Sequence, residues 1–366
     1  MTGSQEARRG GIVSGFLLRV IRATGKPPVT REVLAERLGI SADYYAGIET
    51  GRRPLSRINI EQSLMLRQTL LRASCDPDLM TLLDAALEAD MVIDYGVRVG
   101  DGYQPHDLHP LDAWVLRRRT VELIAWPFDR RIPSWMPNLV SVPGYKAPRL
   151  PARPEFDGEA RRRFFNHLRR VADVTSGKPA LLMRRQALYL LSFDTRPDAP
   201  SFLAHHRGRM PHGLNGWSDQ WPAARSLAAS ITRQGDRTML TDFIARGLGQ
   251  DDRAETANLT YFAYWVGEGS GVQRDDSFMP TGLDNWRGDL LLRHLTERLD
   301  GELGYVDLTV HTLWALIAAK PHLLAEDPAL RLDLQARVEA LLDTRPVTPQ
   351  ALAELGAIRY ALKLHR

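Results

Sequence analysis

The sequence predicts an all-α protein. Segments of about 12 to 18 residues, with apolar side chains three or four positions apart, follow one another along most of the chain. Alternation of apolar and polar residues, the pattern of a half-buried strand, is nearly absent. The chain has 366 residues, of which 44% are hydrophobic and 25% charged, so it is expected to fold into about two to three globular domains.

The first 75 residues predict four helices separated by strong stop signals. Residues 14–24 place apolar side chains on one helical face, and Gly25 with the following prolines ends that helix. Thr30 is a good N-cap for a second helix, and Ser41, after a turn at Gly39, caps a third. A fourth, amphipathic helix follows Pro54.

Three regions are predicted. Residues 1–75 form the N-terminal domain, residues 76–155 a helical connector, and residues 156–366 a large helical region for dimerisation and sensing. Helices are expected over 76–98 and 111–126, and the prolines between residues 127 and 154 indicate irregular structure. A solenoid of paired helices is left open as an alternative, although no fixed-period repeat in the sequence indicates one.

Positive charge is concentrated at the N-terminus. The net charge is +4 and the isoelectric point is about 9.3. Residues 1–57 contain ten arginines and lysines against five acidic residues, a net of +5, so the remaining chain carries −1. A concentrated basic region of this kind is typical of a surface that contacts phosphate groups.

Other classes of protein are disfavoured. No apolar run reaches the ~20 residues needed to span a bilayer, and the N-terminus shows no apolar stretch of signal-peptide length, so we expect a cytoplasmic protein. The lone cysteine, Cys75, is expected to be a buried structural thiol. No Ser-His-Asp or paired-carboxylate arrangement stands out, so neither an enzyme nor a cofactor is expected.

Histidine pairs give only weak metal-site patterns. His106 and His109 lie in a predicted loop without a third ligand, and His205, His206 and His212 lack cysteine or acidic partners at the usual spacing. We therefore expect no metal site. The glycine-rich residues 267–271 lack the strand and the lysine of a phosphate-binding loop, and they are interpreted as a linker.

The second and third helices have the lengths and spacing of a helix-turn-helix unit. Ala35 permits close approach of the helices, and Tyr45 and Ile48 should face the core. The residues that should then face outward are Ala42, Asp43, Tyr44, Ala46 and Gly47. In such a unit the N-terminal half of the second helix enters the major groove of DNA.

The stretch VTREVLAERLGISADYYAGIETGRRPLS, residues 29–56, resembles the DNA-binding domain of the XRE family, the Cro- and lambda-repressor-like regulators. Its Tyr44-Tyr45 variant is similar to one common among actinobacterial members. The positions that carry the resemblance are Thr30, Ala35, Gly39-Ile40-Ser41, Tyr45 and Ile48-Glu49-Thr50-Gly51-Arg52. The resemblance covers about 60 of the 366 residues.

The resemblance implies a division of roles within this stretch. Phosphate contacts would come from Thr30, Arg31, Ser41, Arg52, Arg53 and Arg57, and base contacts from Ala42, Asp43, Tyr44, Ala46 and Gly47. The family often has glutamine where this chain has Arg31, and a polar base reader where it has Gly47. Direct hydrogen-bonded readout would then fall mainly to Asp43 and Tyr44, with Ala42 near a thymine methyl group.

Two further features have a structural and a functional interpretation. The basic runs Arg117–Arg119 and Arg161–Arg163 are expected to be solvated helix faces, with an extension of the DNA path as the alternative. The side chains of Tyr261, Tyr264, Trp265 and Glu268 fall at one helical spacing. They are expected to pack in the core, with a ligand pocket or a dimer interface as the alternative.

The sequence as a whole predicts a dimeric DNA-binding regulator of transcription, with repression favoured over activation. A small-molecule or protein effector at the C-terminal region would modulate it. The alternative is a protein-interaction regulator, such as an antitoxin-like partner or a developmental switch, that uses the same fold for docking.

Overall fold

The computed structural model describes residues 10–129, 133, 153–175, 177, 180–210, 215–249, 251–269, 271–344 and 347–364. Within these ranges it contains eighteen α-helices and no strand, which confirms the all-α prediction. None of the helices in the described ranges is both long enough and apolar enough to cross a membrane.

The chain divides into two compact units. The first comprises Met1–Pro110 and Arg119–Arg170, and the second comprises Leu111–Arg118 and Val171–Arg366. The boundaries expected from the sequence near residues 75 and 155 both fall inside the first unit. Of the predicted proline-rich connector, residues 130–132 and 134–152 lie outside the described ranges.

The first unit is built from short helices with local capping signals. Asn59 and Gln62 form a reciprocal capping box, and Asp76 caps a short helix that begins with Pro77. The α-helices are α1 (Ile12–Ala23), α2 (Arg31–Arg37), α3 (Ala42–Glu49), α4 (Ile60–Arg72), α5 (Pro77–Met80), α6 (Leu83–Val99) and α7 (Arg118–Ala125), followed by α8 (Gly158–Val174), which continues into the second unit.

Helix α1 lies at the centre of the first unit. It packs against both α3 and α6, while α2 packs against α3 and α4. The N-terminus of α1 is capped from a distance, because the Asp90 carboxylate of α6 accepts from the amides of Val13 and Ser14 at 2.8 and 2.9 Å. This contact fixes the position of α1, and with it the helices that rest on α1.

The second unit is also helical. Its α-helices are α9 (Leu181–Leu190), α10 (Ala199–Gly208), α11 (Trp221–Arg233), α12 (Thr238–Asp242), α13 (Asp252–Val266), α14 (Asp289–Glu297), α15 (Val306–Ala319), α16 (Leu323–Glu326), α17 (Pro328–Thr344) and α18 (Pro349–Leu364). Helix α12 continues into a π-helical segment, Phe243–Leu248. Leucine, valine and isoleucine side chains from α13, α14, α15, α17 and α18 form one buried core.

The predicted helix over 111–126 is wrong in its first half, because α7 begins only at Arg118. The backbone before it is held by the second unit instead. The amide of Val115 donates to the Gln273 carbonyl at 2.8 Å, and the amide of Leu116 donates to Oε1 of Gln186 at 2.7 Å. These partners are distant in sequence, so apolar spacing alone could not reveal that they replace helical hydrogen bonds.

Candidate nucleic-acid interface

Helices α2 and α3 are joined by a tight connection whose geometry follows from local capping. Oγ1 of Thr30 accepts from the Val33 amide at 3.4 Å, and Oγ of Ser41 accepts from the Tyr44 amide at 3.1 Å. Between the helices Gly39 has a φ of 64°, a left-handed conformation that favours glycine. Thr30, Gly39 and Ser41 therefore play the local roles predicted for them.

The inner side of α3 is fixed against α1. Tyr45 and Ile48 are fully buried, as predicted. Gly15 on α1 lies so close that a Cβ atom there would be 2.1 Å from the Ile48 carbonyl oxygen. Only glycine permits this approach, so the position of α3 depends on a missing side chain in another helix.

The outer side of α3 exposes fewer residues than predicted. Ala42 and Asp43 are exposed, and Tyr44 and Ala46 are half-buried. Gly47, which was expected to face outward, is buried. The prediction for Gly47 is wrong because Arg53, which lies beyond the end of the helix, covers Gly47 with its side chain.

Arg53 lies across the surface of α3. Its amide donates to the Gly47 carbonyl at 3.0 Å, and its Cζ lies 4.5 Å from the centroid of the Tyr44 ring. A Cβ atom on Gly47 would be 3.1 Å from Cδ of Arg53. The absent side chain at position 47 thus makes room for an arginine, which occupies the part of the surface where a base reader was expected.

Asp43 and Arg52 form an exposed ion pair beside this arrangement. Nη2 of Arg52 lies 3.5 Å from Oδ1 of Asp43, and the two side chains are 55% and 76% exposed. Nε of Arg52 also donates to Oγ1 of Thr50 at 3.3 Å. A pair this exposed contributes little to stability and can separate at low cost when a polyanion approaches.

The buried carboxylate of Glu49 pairs with two arginines, one of them on α2. Glu49 is fully buried at its side chain and accepts from Nε and Nη2 of Arg22 at 2.6 and 3.2 Å, and from Nε of Arg31 at 2.6 Å. Two guanidinium groups share one carboxylate, so the cluster keeps a net positive charge. The role of Glu49 could not be predicted from the sequence, because its partners lie 27 and 18 residues away.

The predicted phosphate-contacting residues comprise arginines with accessible side chains and two hydroxyl residues that cap helices. The Nη groups of Arg31 have no hydrogen-bond acceptor among the described residues, and its side chain is 36% exposed. Arg53 and Arg57 are exposed and form no ion pair within the described ranges. Thr30 and Ser41 are exposed, but their hydroxyl groups already cap helices.

The aromatic row of α13 is mostly internal structure. Tyr264 donates its hydroxyl hydrogen to the Val115 carbonyl at 2.6 Å. Glu268 caps α14, since its carboxylate accepts from the amides of Gly288 and Leu291 at 2.6 and 2.7 Å. Trp265 is half-buried and stacks at 6.1 Å on Tyr261, which is buried. For Tyr264 and Glu268, the packing interpretation accounts for the side chain.

The histidines that the structure describes do not gather into a metal site. His109 is buried and bonds through Nε2 to Nε2 of His167 at 2.8 Å, while His106 is exposed. Burial, with a smaller contribution from repulsion by the His167 imidazole, lowers the pKa of His109 to about 3, so His109 is neutral at neutral pH. The described residues contain no group of three or more histidine, cysteine or acidic side chains placed to hold a metal ion. His212 lies outside them.

The basic runs of the sequence are partly occupied by internal contacts. Arg117 lies over the Tyr264 ring at 4.9 Å, and Arg161 lies 5.7 Å from the ring centroids of Phe128 and Phe165.

No family model, curated protein or solved structure matches the chain. The interpretation of the surface around α3 therefore depends on its own chemistry.

Proposed function

We propose that the chain binds double-stranded DNA through the surface formed by α3 and the arginines that follow it, and that it regulates transcription. The observation that carries the proposal is the placement of Arg53 on α3. A guanidinium group lies on the outer face of a short helix whose first two residues, Ala42 and Asp43, are exposed, and Arg31, Arg52 and Arg57 belong to the same unit.

The phosphate contacts would come from these four arginines, with support from Thr30, Ser41 and the N-terminal amides of α2 and α3. Arg31 is suited to this because Glu49 fixes its Nε and leaves its Nη groups available. Arg52 would exchange its exposed contact with Asp43 for a phosphate. The net charge of +5 over residues 1–57 favours the same partner.

The base-facing surface would comprise Ala42, Asp43, Tyr44 and Ala46. Asp43 accepts hydrogen bonds and suits the N4 amino group of cytosine, and Ala42 suits a thymine methyl group. Gly47 would act indirectly, by making room for Arg53. With so few polar readers, sequence preference would depend strongly on half-site spacing and DNA shape.

We propose that two copies of the chain bind one DNA site together. A single DNA-binding head, the surface formed by α3 and its arginines in one copy, offers too little area for tight binding to an operator. Helix α4 supplies an apolar surface in the same unit for pairing of the two copies. Ile60, Leu64 and Leu71 lie in one row along this helix and are 81%, 57% and 51% exposed.

Selection of bound sequences from a random duplex pool tests the proposal. The wild-type chain should enrich a site with two-fold symmetry. The triple variant Arg52→Gln/Arg53→Gln/Arg57→Gln should lose this enrichment. The control Arg246→Gln/Arg287→Gln/Arg337→Gln, which removes three exposed arginines of the second unit, should keep it. No enrichment by the wild type, or equal enrichment by the first variant, would contradict the proposal.

A further inference from the structure

A second cationic group lies largely buried in the second unit. Arg225 on α11 is only 7% exposed, and its Cζ lies 4.6 Å from the ring centroid of Tyr261 and 4.4 Å from that of Phe262. Its Nε donates to Oδ1 of Asn258 at 3.1 Å. The guanidinium is therefore flanked by two aromatic rings and held in place by one neutral amide.

The charge of Arg225 has no counterion among the described residues. Asn258 is neutral and uses its amino group to donate to Oγ1 of Thr312 at 3.0 Å. The neighbouring Arg185, whose Cζ lies 5.4 Å from the Tyr261 ring centroid, binds the carboxylate of Asp276 with Nε and Nη2. The one acid of this cluster is thus engaged by the other arginine.

An uncompensated buried charge is costly. Removing a guanidinium from water is strongly unfavourable unless an opposite charge and further hydrogen bonds compensate. Burial lowers the pKa of Arg225 to about 10. Tyr261 and Tyr189 only partly offset this loss of hydration, and the positive charge of Arg185 lowers the pKa of Arg225 further. At neutral pH the side chain is still charged, so its environment favours an anion.

The part of Arg225 that remains available for a ligand is the edge of the guanidinium formed by its two Nη groups. The aromatic rings flank the guanidinium and Asn258 occupies Nε, while the two Nη groups have no acceptor among the described residues. Two parallel N–H groups at this edge match the spacing of two oxygens in a carboxylate or a phosphate. The remaining 7% exposure shows that the residue is not completely sealed from solvent.

We propose that the Nη edge of Arg225 binds an oxyanion, the carboxylate or phosphate group of a small molecule, with Tyr261 and Phe262 forming the aromatic walls of the site. Tyr261 thereby takes a ligand-binding role, whereas Tyr264 and Glu268 of the same helix are structural. The site does not depend on DNA binding, because all of its residues belong to the second unit.

Thermal unfolding and titration calorimetry of the full chain test the site with inorganic phosphate and with acetate, each against sodium chloride of equal ionic strength. The wild-type chain should show a saturable rise in melting temperature with at least one of the two anions. A response to phosphate alone identifies a phosphate site, and a response to acetate alone identifies a carboxylate site. No saturable response to either anion would overturn the proposal.

Variants separate the site from general salt effects. Arg225→Gln should abolish the saturable response, and Arg225→Lys, which keeps the charge but loses the planar fork, should weaken the affinity at least about tenfold. Arg246→Gln, an exposed arginine of the same unit, should respond like the wild type. If Arg225→Gln does not fold, Arg225→Lys decides. Unchanged anion affinity in the variant that folds would overturn the proposal.

Discussion

Arg53 lies across Tyr44, with its Cζ 4.5 Å from the centroid of the tyrosine ring. The two residues are nine positions apart, and the arginine follows the end of α3. The contact therefore brings a guanidinium from the following loop onto the outer face of the helix. In the proposed function this pair replaces the long polar side chain that Gly47 lacks.

The Tyr44 ring is expected to orient Arg53 for DNA. Removing the ring in Tyr44→Ala should lower DNA affinity about three- to tenfold, because an exposed cation–π contact contributes roughly 0.5–1 kcal/mol and the freed arginine must be ordered on binding. Tyr44→Phe keeps the ring and should retain most of the affinity. Fluorescence anisotropy with the selected site measures both. An equal loss in the two variants would show that the hydroxyl group matters and the stacking does not.

Gly47→Ala should separate stability from DNA binding. Alanine raises intrinsic helix stability by about 1 kcal/mol relative to glycine, yet its Cβ would lie 3.1 Å from Cδ of Arg53. Arg53 must then shift by a few tenths of an ångström from its place over Tyr44, so DNA affinity should fall while the unfolding midpoint of the first unit holds or rises. Unchanged DNA affinity would mean that the position of Arg53 is not needed for binding.

Gly15→Ala should destabilise the first unit, because the new Cβ would lie 2.1 Å from the Ile48 carbonyl oxygen. Overpacking of this kind typically costs about 1–3 kcal/mol, and here it must displace α3 from α1. Urea unfolding followed by circular dichroism measures the change. Gly356→Ala is the matched control, since position 356 lies inside α18 and the new Cβ would meet no neighbouring helix or loop within 4 Å. A wild-type midpoint for Gly15→Ala would contradict the close approach.

The second unit should lose stability between about pH 6.5 and pH 9. His311 bonds through Nδ1 to Glu354 at 2.7 Å and through Nε2 to Glu255 at 2.6 Å. Burial lowers the pKa of His311, but the hydrogen bonds and charges of the two carboxylates outweigh it and raise the pKa to about 9.

The sign follows from proton linkage. The folded chain holds the His311 proton more tightly than the unfolded chain, so the stabilisation is complete below about pH 6.5 and disappears as the pH rises through 9. The loss should be at most about 3 kcal/mol. Denaturant unfolding at pH 6.5 and pH 9 should show a smaller pH dependence for His311→Gln than for the wild type. The exposed control His322→Gln should behave as the wild type, and an unaltered pH dependence in His311→Gln would refute the assignment.

The local features around α3 could be predicted from the sequence because their causes are local. Thr30 and Ser41 cap helices that begin one residue later, and the left-handed turn at Gly39 needs no distant partner. The burial of Tyr45 and Ile48 follows from helical periodicity. The helical class of the whole chain follows from the same periodicity, which recurs from residue 157 onward.

The remaining features could not be predicted, because their causes come from distant parts of the chain. The burial of Gly47 depends on the path of Arg53, and the role of Glu49 depends on Arg22 of another helix. The backbone around Val115 is held by Gln273 and Tyr264. In each case the sequence shows the residue types but not which of them meet.

The central claim is that the surface of α3 and its arginines binds the DNA backbone, and fluorescence anisotropy over a salt series tests it most directly. With about four phosphate contacts on each of two heads, the logarithm of the binding constant should fall with the logarithm of salt concentration at a slope of about −7. Arg52→Gln/Arg53→Gln/Arg57→Gln should reduce the slope to about −2. Absence of binding by the wild type, or a slope that this triple variant leaves unchanged, would contradict the account.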